Sequence, residues 1–467
     1  MSISWKTAVA AAAGIVVVGA GVWLALRMEG EPPVITFAKP LAAVGKSTPW
    51  AFTAFDAKSG LRQLRAWARQ GEKNVPLFSE DFPGRGTRRR EVALTLDPKA
   101  LGLADGPATL IVAAQDHSLK GFTKGNSVFV ETPVVIDTEA PRLEILSTQH
   151  NVNRGGVGLV VYRLGEPAAR TGVELGDRFF PGYPEAAGGA GAHVAYFAFP
   201  WDGPAAPAFS VVARDAAGNE VRRGFAVRPL EKVFPSDTIE ISARFLATKI
   251  PEFRAADPSL PADPVAAFLV VNRDWRARDH ARIRELCAAG SPARLWDGPF
   301  LQMPNTKNMA GWAEARTYVS GGKVIDRQTH LGLDLASTAG APVPAANAGV
   351  AVFSGDLGIY GQAVILDHGQ GVFSLYGHLS GLVAKVGQKY ARGETIGASG
   401  QTGMAGGDHL HFSTLVSGTF VSPAEWFDAH WIADNVMNKL ALFGGAPAAA
   451  PAPATTPATT PPAAPAR

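Results

Sequence analysis

The last third of the chain holds the residues best suited to bind a metal and move protons. They are His330 and Asp334 in "THLGLDLAS", His378 in "VFSLYGHLS", and His409 with His411 in "GGDHLHFS". Side chains along a strand alternate between its two faces, so each stretch read as a strand gathers its polar residues on one side. His330, Gly332 and Asp334 then oppose Leu331, Leu333 and Leu335. Ser374, Tyr376 and His378 oppose Phe373, Leu375 and Leu379, and His409 and His411 oppose Leu410 and Phe412. A helix would also bring His330 and Asp334 together, but Gly332 and the flanking turn residues disfavour one.

This donor set suits zinc. A catalytic zinc takes three nitrogen or oxygen ligands at ~2.0–2.2 Å and keeps a fourth position for water. Two neutral imidazoles and one carboxylate leave the ion a net charge of about +1, enough to polarise a carbonyl and to bring the pKa of water toward about 7. Five candidates exceed what one open site needs as ligands, and surplus histidines suit proton transfer or oxyanion stabilisation. With Cys287 as the single cysteine, no disulfide within the chain and no thiolate zinc site can form.

The surrounding sequence supplies a β framework for these residues. From 303 to 442 short alternating runs such as "AGVAVFSG" and "GQAVILDHG" are punctuated by glycine, and "PAEWFDAHWIADNVMNKLALF" has helical periodicity. His430, on that helical stretch, reads as structural. Upstream, 33–138 and 139–229 look like two copies of one unit. Each begins near a proline followed by an alternating run ("PPVITF", "APRLEIL") and ends in a late strand and turn ("TLIVAAQDHS", "FSVVARDAAGN"). That spacing predicts two immunoglobulin-like β-sandwiches acting as spacers or as binding modules for a protein partner. Residues 230–302 mix an apolar run with Arg-rich helical patterning and read as a connector or lid, with His280 solvated. The tail from 444 to 467 is almost entirely Pro, Ala and Thr and is expected to be disordered.

Across its 467 residues, 44 Lys and Arg against 41 Asp and Glu leave a dispersed charge of +3, which excludes a nucleic-acid footprint. The 51 Gly and 35 Pro fit a mainly β protein with many turns. Residues 7–26, "TAVAAAAGIVVVGAGVWLAL", carry no charge and are long enough to span a bilayer as an uncleaved signal anchor. Lys6 precedes the run, while Glu29 and Glu31 follow Arg27. This asymmetry places the anchor in the cytoplasmic membrane with the bulk of the chain outside the cytoplasm.

H-x-x-x-D in "HLGLDLA", then "YGHLS", then "GQTGMAGGDHLHF" closely resembles the lysostaphin-type (LytM-like) zinc metallopeptidases, which cut peptide bonds in bacterial peptidoglycan. The likeness runs from about Thr317 to Phe427 and includes "APVPAANAGVAVFSG", "YGQAVILDHGQG" and "VSPAEWF" in family order. It implies an antiparallel β-sheet domain holding one zinc ion through His330, Asp334 and His411, with His378 and His409 as catalytic histidines, His368 at a structural turn position and peptidoglycan peptides as substrate. It departs from the family upstream of His330. Members often carry an aromatic residue in a pattern like F-G-x-R there, whereas "ARTYVSGGKVIDRQTH" puts Tyr318 farther away, so no oxyanion role is given to it. Some relatives are non-catalytic envelope regulators that activate a separate amidase, but they lack ligand residues that this chain retains. In latent members an asparagine fills the open metal position, and Asn305 and Asn308 have the location for it.

Overall fold

The computed structural model describes residues 5–28, 30–120 and 124–444, so the tail expected beyond Gly444 lies outside the described residues. Trp5–Arg27 is one helix, and its side chains at Ile15, Val16 and Val18 are exposed. The side chains at 7, 8 and 24–27 lie outside the described residues, and among the described residues no helix is long and apolar enough to cross a membrane. The chain divides into two compact units, Met1–Pro141 with Arg214–Val221, and Arg142–Ala213 with Arg222–Arg467.

The first unit contains a three-stranded sheet (Val34–Phe37, Thr48–Phe55, Arg89–Leu96) and a five-stranded one in which Gly106–Asp116 lies between Leu61–Gln70 and Ser127–Ile136. Thr48–Phe55 alternates buried and open positions as a half-covered strand should. Its inward residues Trp50 and Phe52 join Leu64, Leu110, Val112 and Val134 in one apolar core.

The second unit begins with most of the β region expected at 139–229, from which Arg214–Val221 goes to the first unit. Here alternation fails: along Val157–Leu164 every residue but Arg163 is buried. The cause lies far away in sequence, because the C-terminal part of the chain covers this sheet. The Tyr196 ring packs against Trp296 and Trp426 at 6.4 and 6.1 Å, and Lys439 Nζ donates to Leu159 O at 3.1 Å. Glu425 accepts from Asn153 Nδ2 and from the Val157 N–H, both at 2.8 Å.

Burial pushes the Glu425 carboxyl up to about 7 from an ordinary 4.5, against the two donors that favour its charge. A folded-state value above the unfolded one means that the native chain holds this proton more tightly. The stability it contributes is full below pH 4.5 and is lost as pH rises through about 7. The unfolding midpoint of the second unit is therefore expected to decline over this window, and less steeply in Glu425→Gln. Urea titrations at stepped pH check this, and equal slopes in the two proteins would contradict it.

The remainder of the unit frames the site. β1 (Ser236–Glu240) leads into α1 (Ala243–Ala256), capped by the Ser242 side chain on Phe245 N. α2 (Pro264–Val270) and α3 (Arg276–Leu286) follow. Next come β2 (Lys307–Ala310), β3 (Glu314–Ser320), β4 (Lys323–His330) and β5 (Leu333–Ala336). β6 (Gly349–Asp356), β7 (Gln362–Gly369), β8 (Val372–Leu379), β9 (Lys389–Tyr390), β10 (Leu410–Val416) and β11 (Thr419–Val421) follow, and the short strands Pro342–Pro344, Gly381–Leu382 and Thr395–Ala398 form a small sheet of their own. The large sheet has the order β2-β5-β10-β8-β7-β6-β9, with β11 paired to β10, and β1-β3-β4 form a separate sheet. The segment expected as a connector or lid is thus helical and built into this unit, with Phe268 of α2 packed on Tyr318 of β3 at 5.6 Å.

Candidate metal centre

His330 and Asp334 do not share one strand. His330 ends β4, Asp334 lies in β5, and the chain bends at Leu331 and Gly332 between two sheets. The bend is tight for a physical reason: a Cβ at Gly332 would sit 2.5 Å from Cε1 and Nε2 of His411. Asp334 faces His411 directly across the β5–β10 ladder, and residues opposed in this way project to the same face.

His378 departs from simple alternation. Tyr376 pairs with Phe412 and Gly377 with His411, so Ser374 and Tyr376 point away from the metal face. Strict alternation would have sent His378 with them. Instead β8 carries one extra residue between its pairings at Tyr376 and Leu379, and His378 adopts φ +62°. This bulge swings the ring to within 5.7 Å of the His411 ring and 4.9 Å of His409. Ser374 and Tyr376 serve a buried network with His368, whose ring also bonds Ala348 O. The structural reading of His368 agrees with these contacts.

The histidines have their outer nitrogens committed. His330 Nδ1 donates to Gly311 O at 2.9 Å, His378 Nδ1 to Thr402 O at 2.8 Å, and His409 Nδ1 to Gly407 O at 2.9 Å. His411 Nε2 reaches Ser413 Oγ at 2.9 Å, and that hydroxyl spends its own proton on Leu331 O, so it must accept from the ring. Carbonyls only accept, so each ring in its neutral form keeps a lone pair on its other nitrogen.

Three of the inner donors converge. His330 Nε2 lies 2.9 Å from Asp334 Oδ1 and 3.0 Å from His411 Nδ1, which is 3.1 Å from the same oxygen. Lone pairs at such separations repel unless a cation or proton sits among them. Ligands on a tetrahedral zinc with bonds near ~2.05 Å lie roughly 3.3 Å apart, so shifts of a few tenths of an ångström admit the ion. The donor atoms of His330, Asp334 and His411 all fall within 4.8 Å of one another, and the three residues are buried. The group is able to bind a metal. Arg316 Nη2 holds the other Asp334 oxygen at 2.8 Å, leaving Oδ1 alone to face the centre.

Protonation agrees with this use. Burial alone would raise the Asp334 carboxyl, yet the imidazoles around it, His330 foremost, hold it well below the usual carboxylate range. Burial lowers His411 to about 4 and drives His378 well below the ordinary imidazole value, so both are neutral at pH 7. Burial also opposes charge on His409, but its contact with Asp334, 3.5 Å away, outweighs that and raises it.

Residues 328–423 match the family model described as peptidase family M23. The DD-carboxypeptidase/endopeptidase Mpg of Neisseria meningitidis is 43% identical over 94 residues, 20% of this chain and 22% of that protein. The peptidoglycan DD-endopeptidase ShyA of Vibrio cholerae is 40% identical over 89 residues, 19% and 21% of the two. The chain carries a C-terminal M23 peptidase domain of the LytM-like kind. It spans about a fifth of the length of these curated relatives. Among solved structures, a putative peptidase M23 from Pseudomonas aeruginosa aligns over 59% of this chain and 94% of that one at 23% identity and TM-score 0.37. The lysostaphin catalytic domain of Staphylococcus simulans aligns over 26% and 92% at 30% identity and TM-score 0.22.

The M23 site lies at the floor of a groove of about 910 Å³. Ser242, Phe245 and Lys249 of the helical segment line it, as do Tyr318 and Gly406 to His409. Lys249 Nζ donates to Gln401 O at 2.5 Å, which ties α1 to the loop beside Thr402. Met309 and Ala310 line the groove, whereas Asn305 and Asn308, the candidates for a blocking residue, do not. His280, expected in solvent, instead meets the Tyr360 hydroxyl at 3.0 Å, and Tyr360 packs on His411 at 5.2 Å. Arg316, Ser413, Gly311 and Thr402 support the M23 site without having carried a signal, because two of them act through backbone carbonyls that any residue supplies.

Proposed function

We propose that the chain is a membrane-anchored, zinc-dependent endopeptidase that hydrolyses stem or cross-link peptides of peptidoglycan. The observation that carries this is the convergence of three metal-competent donors with two further histidines, His378 and His409, whose rings are fixed through Nδ1 and which line the same groove. The names of the curated relatives support the substrate and the endopeptidase reaction. His330, Asp334 and His411 would hold the ion, and zinc in such a site supplies Lewis acidity toward a peptide carbonyl and a water nucleophile. Of His378 and His409, one accepts the proton of the attacking water at its Nε2 and the other hydrogen-bonds the oxygen that gains charge. Arg316 keeps the Asp334 carboxylate turned, and Thr402 O and Gly407 O keep the two catalytic rings in the required tautomer. Zinc-dependent appearance of new amino ends in purified peptidoglycan tests the reading. No rise above a chelated control would sink it.

Anchoring rests on the uncharged run at 7–26 and the exposed Ile15, Val16 and Val18 of the N-terminal helix. Placement of the bulk of the chain outside the cytoplasm rests on the flanking charges, and the β regions at 33–138 and 139–229 are read as immunoglobulin-like. The full chain is expected to stay with membranes through an alkaline carbonate wash and to be released when residues 1–28 are deleted. Release of the full chain by the wash would contradict the anchor.

A further inference from the structure

A second cavity, of about 530 Å³, opens beside the metal groove between α3 and the strands β3 and β4. Six arginines line it: Arg178, Arg273, Arg276, Arg284, Arg316 and Arg327, with Asp202 as the one acidic lining residue. Three of the six are answered by carboxylates. Arg273 is held by Asp326 at 2.9 Å, Arg316 by Asp334 and Glu314, and Arg178 lies 4.0 Å from Asp202. The other three are not. Arg276 is half-buried and its hydrogen bonds go to the neutral Asn272, while the side chains of Arg284 and Arg327 have no hydrogen bond or ion pair among the described residues. Burial, together with the Arg276 and Arg284 guanidiniums, pushes His280 down to about 3, as a positive local field requires. Trp201 and Phe420 supply apolar wall.

Three guanidiniums directed into one concave space without a counter-charge form an oxyanion receptor, because the planar fork matches a carboxylate with two parallel hydrogen bonds. The position of the cavity selects the oxyanion. Arg276, Arg316 and Leu331 line both this space and the metal groove, so what occupies it lies next to what lies in the groove. Resting on the peptidase reading above, we propose that the cavity binds a free carboxylate of the peptide substrate, away from the scissile bond, through Arg276, Arg284 and Arg327. The enzyme then selects peptides that carry a negative charge at that distance and discriminates against amidated ones.

The side chains of Arg284 and Arg327 are exposed and make no hydrogen bonds among the described residues, so replacing them leaves the fold intact. The full chain loaded with zinc is given matched acidic peptides whose side carboxylates are free or amidated. Wild type is expected to favour the free form by roughly tenfold or more in kcat/KM, the scale of one charge-assisted pair. In Arg284→Gln/Arg327→Gln this ratio is expected to fall toward one. Equal use of both peptides by wild type, or an undiminished preference in the double variant, overturns the proposal. Binding is read separately by fluorescence anisotropy of the labelled acidic peptide on the zinc-free full chain, so that an absence of cleavage would count against the peptidase reading alone. Tight binding lost in the double variant supports the cavity. Displacement of that peptide by inorganic phosphate at lower concentration than by the free-carboxylate peptide would overturn the carboxylate assignment.

Discussion

His411→Ala is expected to lose stoichiometric metal and peptide cleavage together. The substitution removes one of three donors and frees Ser413 Oγ, which now fixes the ring from behind. It also leaves Asp334 to Arg316, whose guanidinium already holds one of its oxygens at 2.8 Å. Structural zinc sites release about 10–16 kcal/mol over four ligands, so one ligand accounts for roughly 3 kcal/mol and its loss weakens binding by about a hundredfold or more. Metal content of the purified full chain by mass spectrometry of the element is the check, with circular dichroism to verify folding. A folded variant with one tightly held zinc would remove His411 from the ligand set.

His409→Ala separates the roles. Its Nε2 stands 3.5 Å from Asp334 Oδ1, farther than the donors of His330 and His411, and its outer nitrogen is held by Gly407 O. The variant is expected to keep its zinc while turnover falls by about 10²–10⁴, the scale of a lost acid–base or oxyanion group. His378→Ala should behave alike, since its ring lies 4.9 Å from that of His409 and is not among the three converging donors. Loss of zinc from His409→Ala equal to that from His411→Ala would show the division of roles to be wrong.

The sequence shows the site more clearly than the frame that builds it. Residue type and order select His330, Asp334, His378, His409 and His411, and the structure gathers all five. Period-two reasoning explains why Asp334 and His411 meet, since both lie on regular paired strands. It fails at Leu331 and Gly332, where the chain passes from one sheet to another, and at His378, where one extra residue and φ +62° reverse the face. A bulge is set by pairing with a strand distant in sequence, and no local pattern reveals it. The same cause hides the burial of Val157–Leu164, whose second face is covered by residues near Trp296 and Trp426. The Arg-rich helical patterning of α3 reads locally as a solvated face. Only the fold shows that Arg276 and Arg284 meet Arg327 of β4 around a single cavity.

The most direct measurement of the central claim is digestion of purified peptidoglycan by the zinc-loaded full chain, with the released fragments identified by mass spectrometry. The account predicts fragments ending in newly cut stem or cross-link peptide bonds, absent with His411→Ala and with a chelator. Intact peptides in the presence of a protein that demonstrably holds one zinc would contradict it.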